Sequence, residues 1–247
     1  MKYLNLKSII TLIILCLATS GYSQIADSRT YLSEVKKELS KEWPGNRTVN
    51  IVFHGHSVPS GYAKTPLVNT LEAYPHQTLC NIKSLYPYAV VNVITTSIGG
   101  EQAEKGERRF KDEVLTHRPD VLFIDYALND RNIGLERAQK AWRSMIEQTL
   151  KAGIKLILFT PTPDIGVDIL DNNSELALHA AQIRSLATEY HVGLVDSYSA
   201  FQQLKQNGTD LSEYMSQQNH PNRKGHEVVA KLIKEWFLPD SISVSSK

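Results

Sequence analysis

Five short β-rich runs recur along the chain, spaced so that a helix fits between each pair: Val49–Phe53, Val90–Thr95, Val121–Tyr126, Lys155–Thr160 and Val192–Asp196. Between them, helical apolar spacing covers Pro66–Leu85, Gln102–His117, Leu135–Ala152 and Glu175–Tyr190. A helix over Arg29–Trp43 precedes the first run and ends at Pro44-Gly45, and another over Asn222–Phe237 follows the last. Runs such as Val121-Leu122-Phe123-Ile124 show no polar alternation, which suits strands buried on both faces. Strand–helix alternation of this kind predicts a parallel sheet with right-handed crossovers and helices on both sides. No repeat or low-complexity linker divides the 247 residues, so a single α/β domain is expected. Trp142, Met145 and Leu150 follow helical spacing and are expected in its core.

The first residues read differently. Lys2 and Lys7 precede an apolar run from Ile9 to Ala18, and small residues follow to Ser23. That order is the order of a secretory signal, and the apolar run is too short to span about 30 Å of hydrocarbon. Residues 1–23 are therefore expected to be a signal peptide and residues 24–247 the mature domain, exported to the periplasm or medium. Cys16 invites a lipid-anchored reading, but Leu15 before it is larger than that signal favours. The net charge is +1 for the whole chain and −1 without the first 23 residues, so bulk electrostatics gives no reason to expect a nucleic-acid partner. No stable membrane insertion is expected once the signal is removed. Cys80 is then the only cysteine; it lies in an apolar helical stretch and is expected to be buried.

Open parallel sheets bind ligands at the carboxyl ends of their strands. The first run exits into His54-Gly55-His56-Ser57-Val58-Pro59-Ser60-Gly61-Tyr62, placing a Ser hydroxyl just beyond a Gly. The second exits into Ser97-Ile98-Gly99-Gly100-Glu101, where Gly lets backbone N–H groups approach an anion. The third ends in Ala127-Leu128-Asn129-Asp130, whose Asn amide is a neutral donor for developing negative charge. Before the last helix stands Gln217-Gln218-Asn219-His220-Pro221-Asn222, and His220 is a general base that titrates near neutrality without help. Each residue alone has a plain structural use as a turn, cap or helix-start residue. Together they fall on one edge of the sheet.

In that order, the four segments resemble the SGNH hydrolases (GDSL-type lipases and esterases), whose marker residues match Ser57, Gly100, Asn129 and His220. The resemblance spans about residues 48–237 and implies a flavodoxin-like three-layer α/β/α sandwich with a five-stranded parallel sheet. It also implies hydrolysis of O-acyl esters without a cofactor. Ser57 would be the nucleophile and His220 the base, with an oxyanion hole from Ser57, Gly100 and Asn129. Exported members often deacetylate polysaccharides, so the implied partner is a small-molecule or polysaccharide ester, with His54, His56, Tyr62 and Glu101 flanking it. Two departures stand out. The first block reads Gly55-His56-Ser57 where the family has Gly-Asp-Ser, and the acid three residues before the histidine is Gln217.

In a Ser-His-Asp triad the acid fixes the imidazole tautomer and stabilises the imidazolium. Its absence leaves three explanations: a backbone carbonyl orients His220, a substitute acid does, or the enzyme is weakened. Gln217, Glu213 and Asp210 are candidates for orienting His220, as is Asp196 at the end of the fifth strand. Two other functions compete. His54 and His56, two apart at a strand end, would share one side and hold a metal with Asp125 or Asp130. A glycan-binding protein without turnover on the same fold would explain Gln217. The glycine spacing matches neither a P-loop nor G-x-G-x-x-G, and Pro59 breaks the G-x-S-x-G pattern of the α/β-hydrolases.

Overall fold

Alternate residues of the central strands belong to two separate apolar clusters. Val49, Ile51 and Phe53, with Val121, Phe123, Ile157 and Phe159, face one cluster; Val52, Leu122, Ile124, Leu156 and Leu158 face the other. This follows from the two-residue period of a strand and explains the unbroken apolar runs. The computed structural model describes residues 24–239. The expected signal segment, residues 1–23, lies outside the described residues.

Strands β1 (Thr48–Gly55), β2 (Val90–Thr95), β3 (Val121–Asp125), β4 (Lys155–Phe159) and β5 (Gly193–Val195) form one sheet in the order β2-β1-β3-β4-β5. All four pairings are parallel. This is the flavodoxin-like doubly wound order, and its direction reverses between β1 and β3, where such folds open their ligand crevice. On the first face pack α1 (Ser33–Leu39), α3 (Tyr74–Leu85), α8 (Ser197–Gln206) and α9 (Arg223–Phe237). On the second pack α4 (Ala103–Arg108), α5 (Phe110–Glu113) and α6 (Leu135–Lys151). Helix α7 (Glu175–Glu189) gives Leu176 and Ala180 to the first cluster and Ile183 and Leu186 to the second. Helix α9 starts where the Asn222 side chain accepts the Gly225 N–H, and it buries His226, Val229, Ala230, Ile233, Trp236 and Phe237 at helical spacing.

Several expectations change. The helix expected over Pro66–Leu85 begins only at Tyr74, with Pro75 in its first turn. The residues before it fold back on the nucleophile segment through Asn69 N–H to Gly61 O (2.7 Å) and a Tyr62–Val68 bridge. The helix expected over Gln102–His117 is broken into α4, α5 and a 3₁₀ turn at Leu115–His117. Gly106 weakens it, and Arg109 at the break turns its guanidinium to the Glu101 carboxylate. Cys80 is exposed, because α3 buries Tyr74, Thr78 and Ile82, and Cys80 lies on the far side of the helix from them. Trp142 and Met145 are buried as expected, but Leu150 is 38% exposed near the end of α6. Not anticipated were the short helix α2 (Ser57–Ser60), helix α8, and an antiparallel pair of β6 (Met215–Gln217) with β7 (His220–Pro221).

Phe123 is at the centre of the first cluster, stacked on Phe53 at 4.6 Å between ring centroids and tilted against Phe159 at 5.7 Å. Phe123→Ala should therefore cost about 3–5 kcal/mol in urea unfolding. Leu150→Ala, at an exposed site, should stay within about 0.5 kcal/mol. Equal costs for the two would contradict this packing.

Candidate active site

Strand β1 delivers Ser57. Its last residue, Gly55, lies so close to β3 that a Cβ there would come within 2.4 Å of the Asp125 carbonyl. The chain then turns sharply: His56 caps α2 by accepting the Val58 N–H, and Gly61 takes the left-handed conformation (φ 89°) that glycine allows. The Tyr62 N–H returns to Ser57 O at 3.1 Å. Ser57 is thus the first residue of a short, closed turn at the carboxyl end of β1.

The β6–β7 pair delivers His220. Ser216 Oγ donates to the His220 carbonyl (3.0 Å), Gln217 Oε1 accepts the Thr65 N–H (3.0 Å), and Gln218 Nε2 donates to Asp164 Oδ1 (3.0 Å). The hairpin is tied to the segment after α2 on one side and to the loop after β4 on the other. His220 Nε2 lies 2.9 Å from Ser57 Oγ, and His220 Nδ1 lies 3.0 Å from the Ala63 carbonyl. A carbonyl only accepts, so Nδ1 carries the proton and Nε2 presents its lone pair to the serine hydroxyl. Burial pushes the His220 pKa below its usual 6.5; the Ala63 bond opposes this and nearby His56 adds to it. The imidazole is neutral at pH 7 and able to accept a proton.

None of the expected orienting residues touches Nδ1. Gln217 faces Thr65; Glu213 pairs with Lys224 at 2.8 Å; Asp210 caps the turn at Leu211–Tyr214; Asp196 is held by Arg184 and Thr160. The correction has a simple cause. The chain after α2 comes back across the site, and its carbonyl arrives first. Sequence reasoning left a backbone carbonyl open but could not name Ala63, since a carbonyl carries no side-chain signal.

Ser57, Tyr62, Thr65, Gly99, Gly100, Asn129, Gln217, Asn219 and His220 line a cleft of about 340 Å³. Gly100 has φ 75°, and a Cβ on Gly99 would strike the Tyr62 ring at 2.9 Å. Glycine thus suits Gly100 by its backbone conformation, and a side chain at 99 would have to displace the Tyr62 ring. Asn129 Nδ2 donates to Glu101 O at 2.9 Å, which leaves its second N–H uncommitted by that bond. Thr65 and Asn219 were not singled out in advance. A wider cleft of about 580 Å³, between Pro163–Ile169 and Asp210–Ser212, contains none of this group.

Three flanking residues lie beneath the cleft rather than in it. His54 is buried, bonded to Thr96 Oγ1 (2.9 Å) and Tyr126 Oη (3.1 Å), and burial lowers its pKa to about 3. Glu101 is buried against Arg109 (2.6 Å) and the Tyr126 hydroxyl (2.9 Å). His56 is buried against Asp125 at 3.3 Å. Of the four expected substrate contacts only Tyr62 reaches the cleft. The metal reading fails on the same geometry. His54 turns to Tyr126 and His56 to Asp125, while Asp130 is occupied by the Ala103 N–H and Trp142 Nε1, both at 2.7 Å. Among the described residues no group of three or more His, Cys, Asp or Glu is placed to hold a metal ion.

Residues 53–228 match the GDSL-like lipase/acylhydrolase family. The chain belongs to that family, and so to the carboxylic ester hydrolases. Its fold resembles that of Axe2, an acetylxylan esterase from Geobacillus stearothermophilus (TM-score 0.68, 19% identity, 79% of this chain and 97% of that one). It also resembles a two-domain esterase, CEX, active on acetylated mannans (TM-score 0.68, 19% identity, 87% of this chain and 54% of that one). A curated relative, the uncharacterized lipoprotein YqeF of Bacillus subtilis (strain 168), is 32% identical over 101 residues. That match takes in 37% of this chain and 42% of the relative's length. Among the described residues no helix is long and apolar enough to cross a membrane.

In NMR of ¹⁵N-histidine-labelled protein, His220 should be the Nδ1–H tautomer and titrate below 6.5. A midpoint at or above that value would contradict the buried, carbonyl-held imidazole.

Proposed function

We propose that the protein is an exported serine esterase that removes O-acetyl groups from carbohydrate. The observation that carries this reading is the 2.9 Å contact between Ser57 Oγ and a neutral His220 Nε2 at the mouth of the cleft. Ser57 Oγ attacks the ester carbonyl while its proton passes to His220 Nε2. The carbonyl oxygen gathers negative charge among the Ser57 and Gly100 N–H groups and the free amide N–H of Asn129. His220 then gives its proton to the leaving alcohol. Water, deprotonated by the same nitrogen, attacks the acyl-serine and releases acetate.

Three features support a carbohydrate ester. The lining side chains of Tyr62, Thr65, Asn129, Gln217 and Asn219 are hydrogen-bonding groups suited to a polyol. The Tyr62 ring, 5.9 Å from the His220 ring, offers a flat apolar face beside the reacting atoms. Two proteins with this fold act on acetylated xylan and acetylated mannans by their own descriptions. Export rests on the order of charges, apolar run and small residues over residues 1–23, together with a lipoprotein relative.

The Ala63 carbonyl bears on the rate. Replacing the acid of a serine-protease triad by its amide costs about 10⁴ in turnover, because the imidazole takes the wrong tautomer. Here the tautomer is the productive one. What is missing is only the charge opposite the imidazolium.

Acetate release from acetylated xylo- and manno-oligosaccharides tests the proposal. Ser57→Ala should lower kcat/KM by about 10⁴-fold or more, His220→Ala by about 10²–10⁴-fold, and Asn129→Ala by about 10²–10³-fold. Activity should fall as pH drops through the His220 pKa, with the acid limb below 6.5, since only the neutral imidazole accepts the serine proton. A chelator should leave the rate unchanged. Oligosaccharide binding without acetate release would favour the non-catalytic alternative, and near wild-type activity in Ser57→Ala would end the assignment.

A further inference from the structure

A second imidazole lies beside the serine hydroxyl. His56 Nδ1 is 3.4 Å from Ser57 Oγ, and on the other side of the ring His56 Nε2 is 3.3 Å from Asp125 Oδ1. The Val58 N–H points at Nδ1 from 3.3 Å, so that nitrogen carries a lone pair. Nε2 then carries the proton and faces the carboxylate. Asp125 Oδ2 accepts the Tyr74 hydroxyl at 2.8 Å. His56 Nε2 and Asp125 Oδ1 stand at ion-pair distance without a hydrogen bond between them, and neither has another hydrogen-bond partner among the described residues.

Both residues are sealed, His56 at 0% and Asp125 at 2% exposure. Capping α2 explains the contact from Val58 but needs no carboxylate; an Asn or Asp would cap as well. A buried carboxylate is costly unless a positive or proton-donating group answers it. The pair therefore calls for a role beyond the cap.

We propose that His56 and Asp125 form a second base for Ser57, a carboxylate-backed imidazole able to take the serine proton beside His220. The inference rests on Ser57 being the nucleophile. As the Ser57 Oγ–carbonyl carbon bond forms, the Oγ–H bond breaks and its proton moves to His56 Nδ1, whose lone pair gives up its contact with the Val58 N–H. The carbonyl π pair moves to the ester oxygen, and Asp125 stands opposite the imidazolium that results. His56 has no route to the leaving alcohol, so protonating that group and activating water remain with His220. In the intact protein His220 is the nearer acceptor, 2.9 Å against 3.4 Å. The contribution of His56 is exposed when His220 is removed and the leaving group needs no proton.

The test uses the full chain and p-nitrophenyl acetate, reading the burst of p-nitrophenolate between about pH 5 and 8. The titratable groups around His56 are Asp125 on β3 with Tyr74 of α3 behind it, Asp130 after β3, and His220 on β7. In His220→Ala a Ser57-dependent burst should persist. Adding His56→Asn, which keeps an oxygen for the Val58 N–H, or Asp125→Asn should slow that burst about 100-fold. A burst that vanishes with His220, or that ignores both added substitutions, would overturn the proposal. Where one added substitution unfolds the protein, the other decides. Release of p-nitrophenolate that survives Ser57→Ala at the wild-type rate would instead overturn the nucleophile assignment and this proposal with it.

Discussion

The bond from His220 Nδ1 to the Ala63 carbonyl, 3.0 Å long, fixes what the site can do. A neutral imidazole has one donor and one acceptor nitrogen, and this bond decides which is which. It does so without placing a charge beside the ring. A buried carboxylate would have carried a desolvation cost and raised the histidine's pKa; a carbonyl carries neither to the same degree. The consequence is a base that stays neutral to lower pH, with weaker stabilisation of its protonated form. That exchange suits a reaction whose imidazolium is short-lived, provided the carbonyl is held rigidly.

Rigidity comes from the segment between α2 and α3. Ala63 N–H donates to Leu67 O (3.0 Å), Asn69 N–H to Gly61 O (2.7 Å), and Thr65 N–H to Gln217 Oε1 (3.0 Å). The residue standing where an acid is expected therefore still serves His220, one step removed. Gln217 anchors the loop whose backbone does the orienting. A charged side chain at 217 is not required by this arrangement, but an acceptor long enough to reach Thr65 is. The substitution and the loop conformation are two halves of one device.

How much of this could be read from the sequence divides along physical lines. The strands were legible because burial on both faces leaves apolar runs such as Val121–Ile124, and all five lie within two residues of their expected ends. The grouping of Ser57, Gly100, Asn129 and His220 at one cleft was legible because doubly wound sheets place their strand exits together. Helix starts were less so: Pro66 and Pro75 are equally good start signals, and only the tertiary folding-back of residues 61–69 selects the second. The depth of a residue below a strand exit was not legible at all. His54, His56 and Glu101 flank the site in sequence, yet the sheet surface hides them, whereas Thr65 reaches it from a segment with no motif and Asn219 from the position just before His220. Ala63 contributes only a backbone atom, and no residue type announces that.

The distribution of buried polar groups extends the same logic. His54, His56, Glu101, Asp125, Asp130, Asp164 and His220 are all buried near the carboxyl ends of β1 to β4 and the hairpin, whereas Lys36, His179 and His226 are buried on helices. Buried ionisable groups rarely add stability compared with apolar packing of the same volume. Their concentration at one edge makes sense as fixing positions: Glu101 with Arg109 and Tyr126 holds the chain that follows Gly100, and Asp130 with Trp142 and Ala103 holds the chain that follows Asn129. Two of the donors proposed for the oxyanion hole, Gly100 and Asn129, are thus each followed directly by a buried, hydrogen-bonded carboxylate. Preorganised donors do not have to reorient when charge develops, which is the condition under which a hydrogen bond lowers a barrier rather than merely binding substrate. The edge of the sheet gives up stability to keep the proposed donors and one lone pair still.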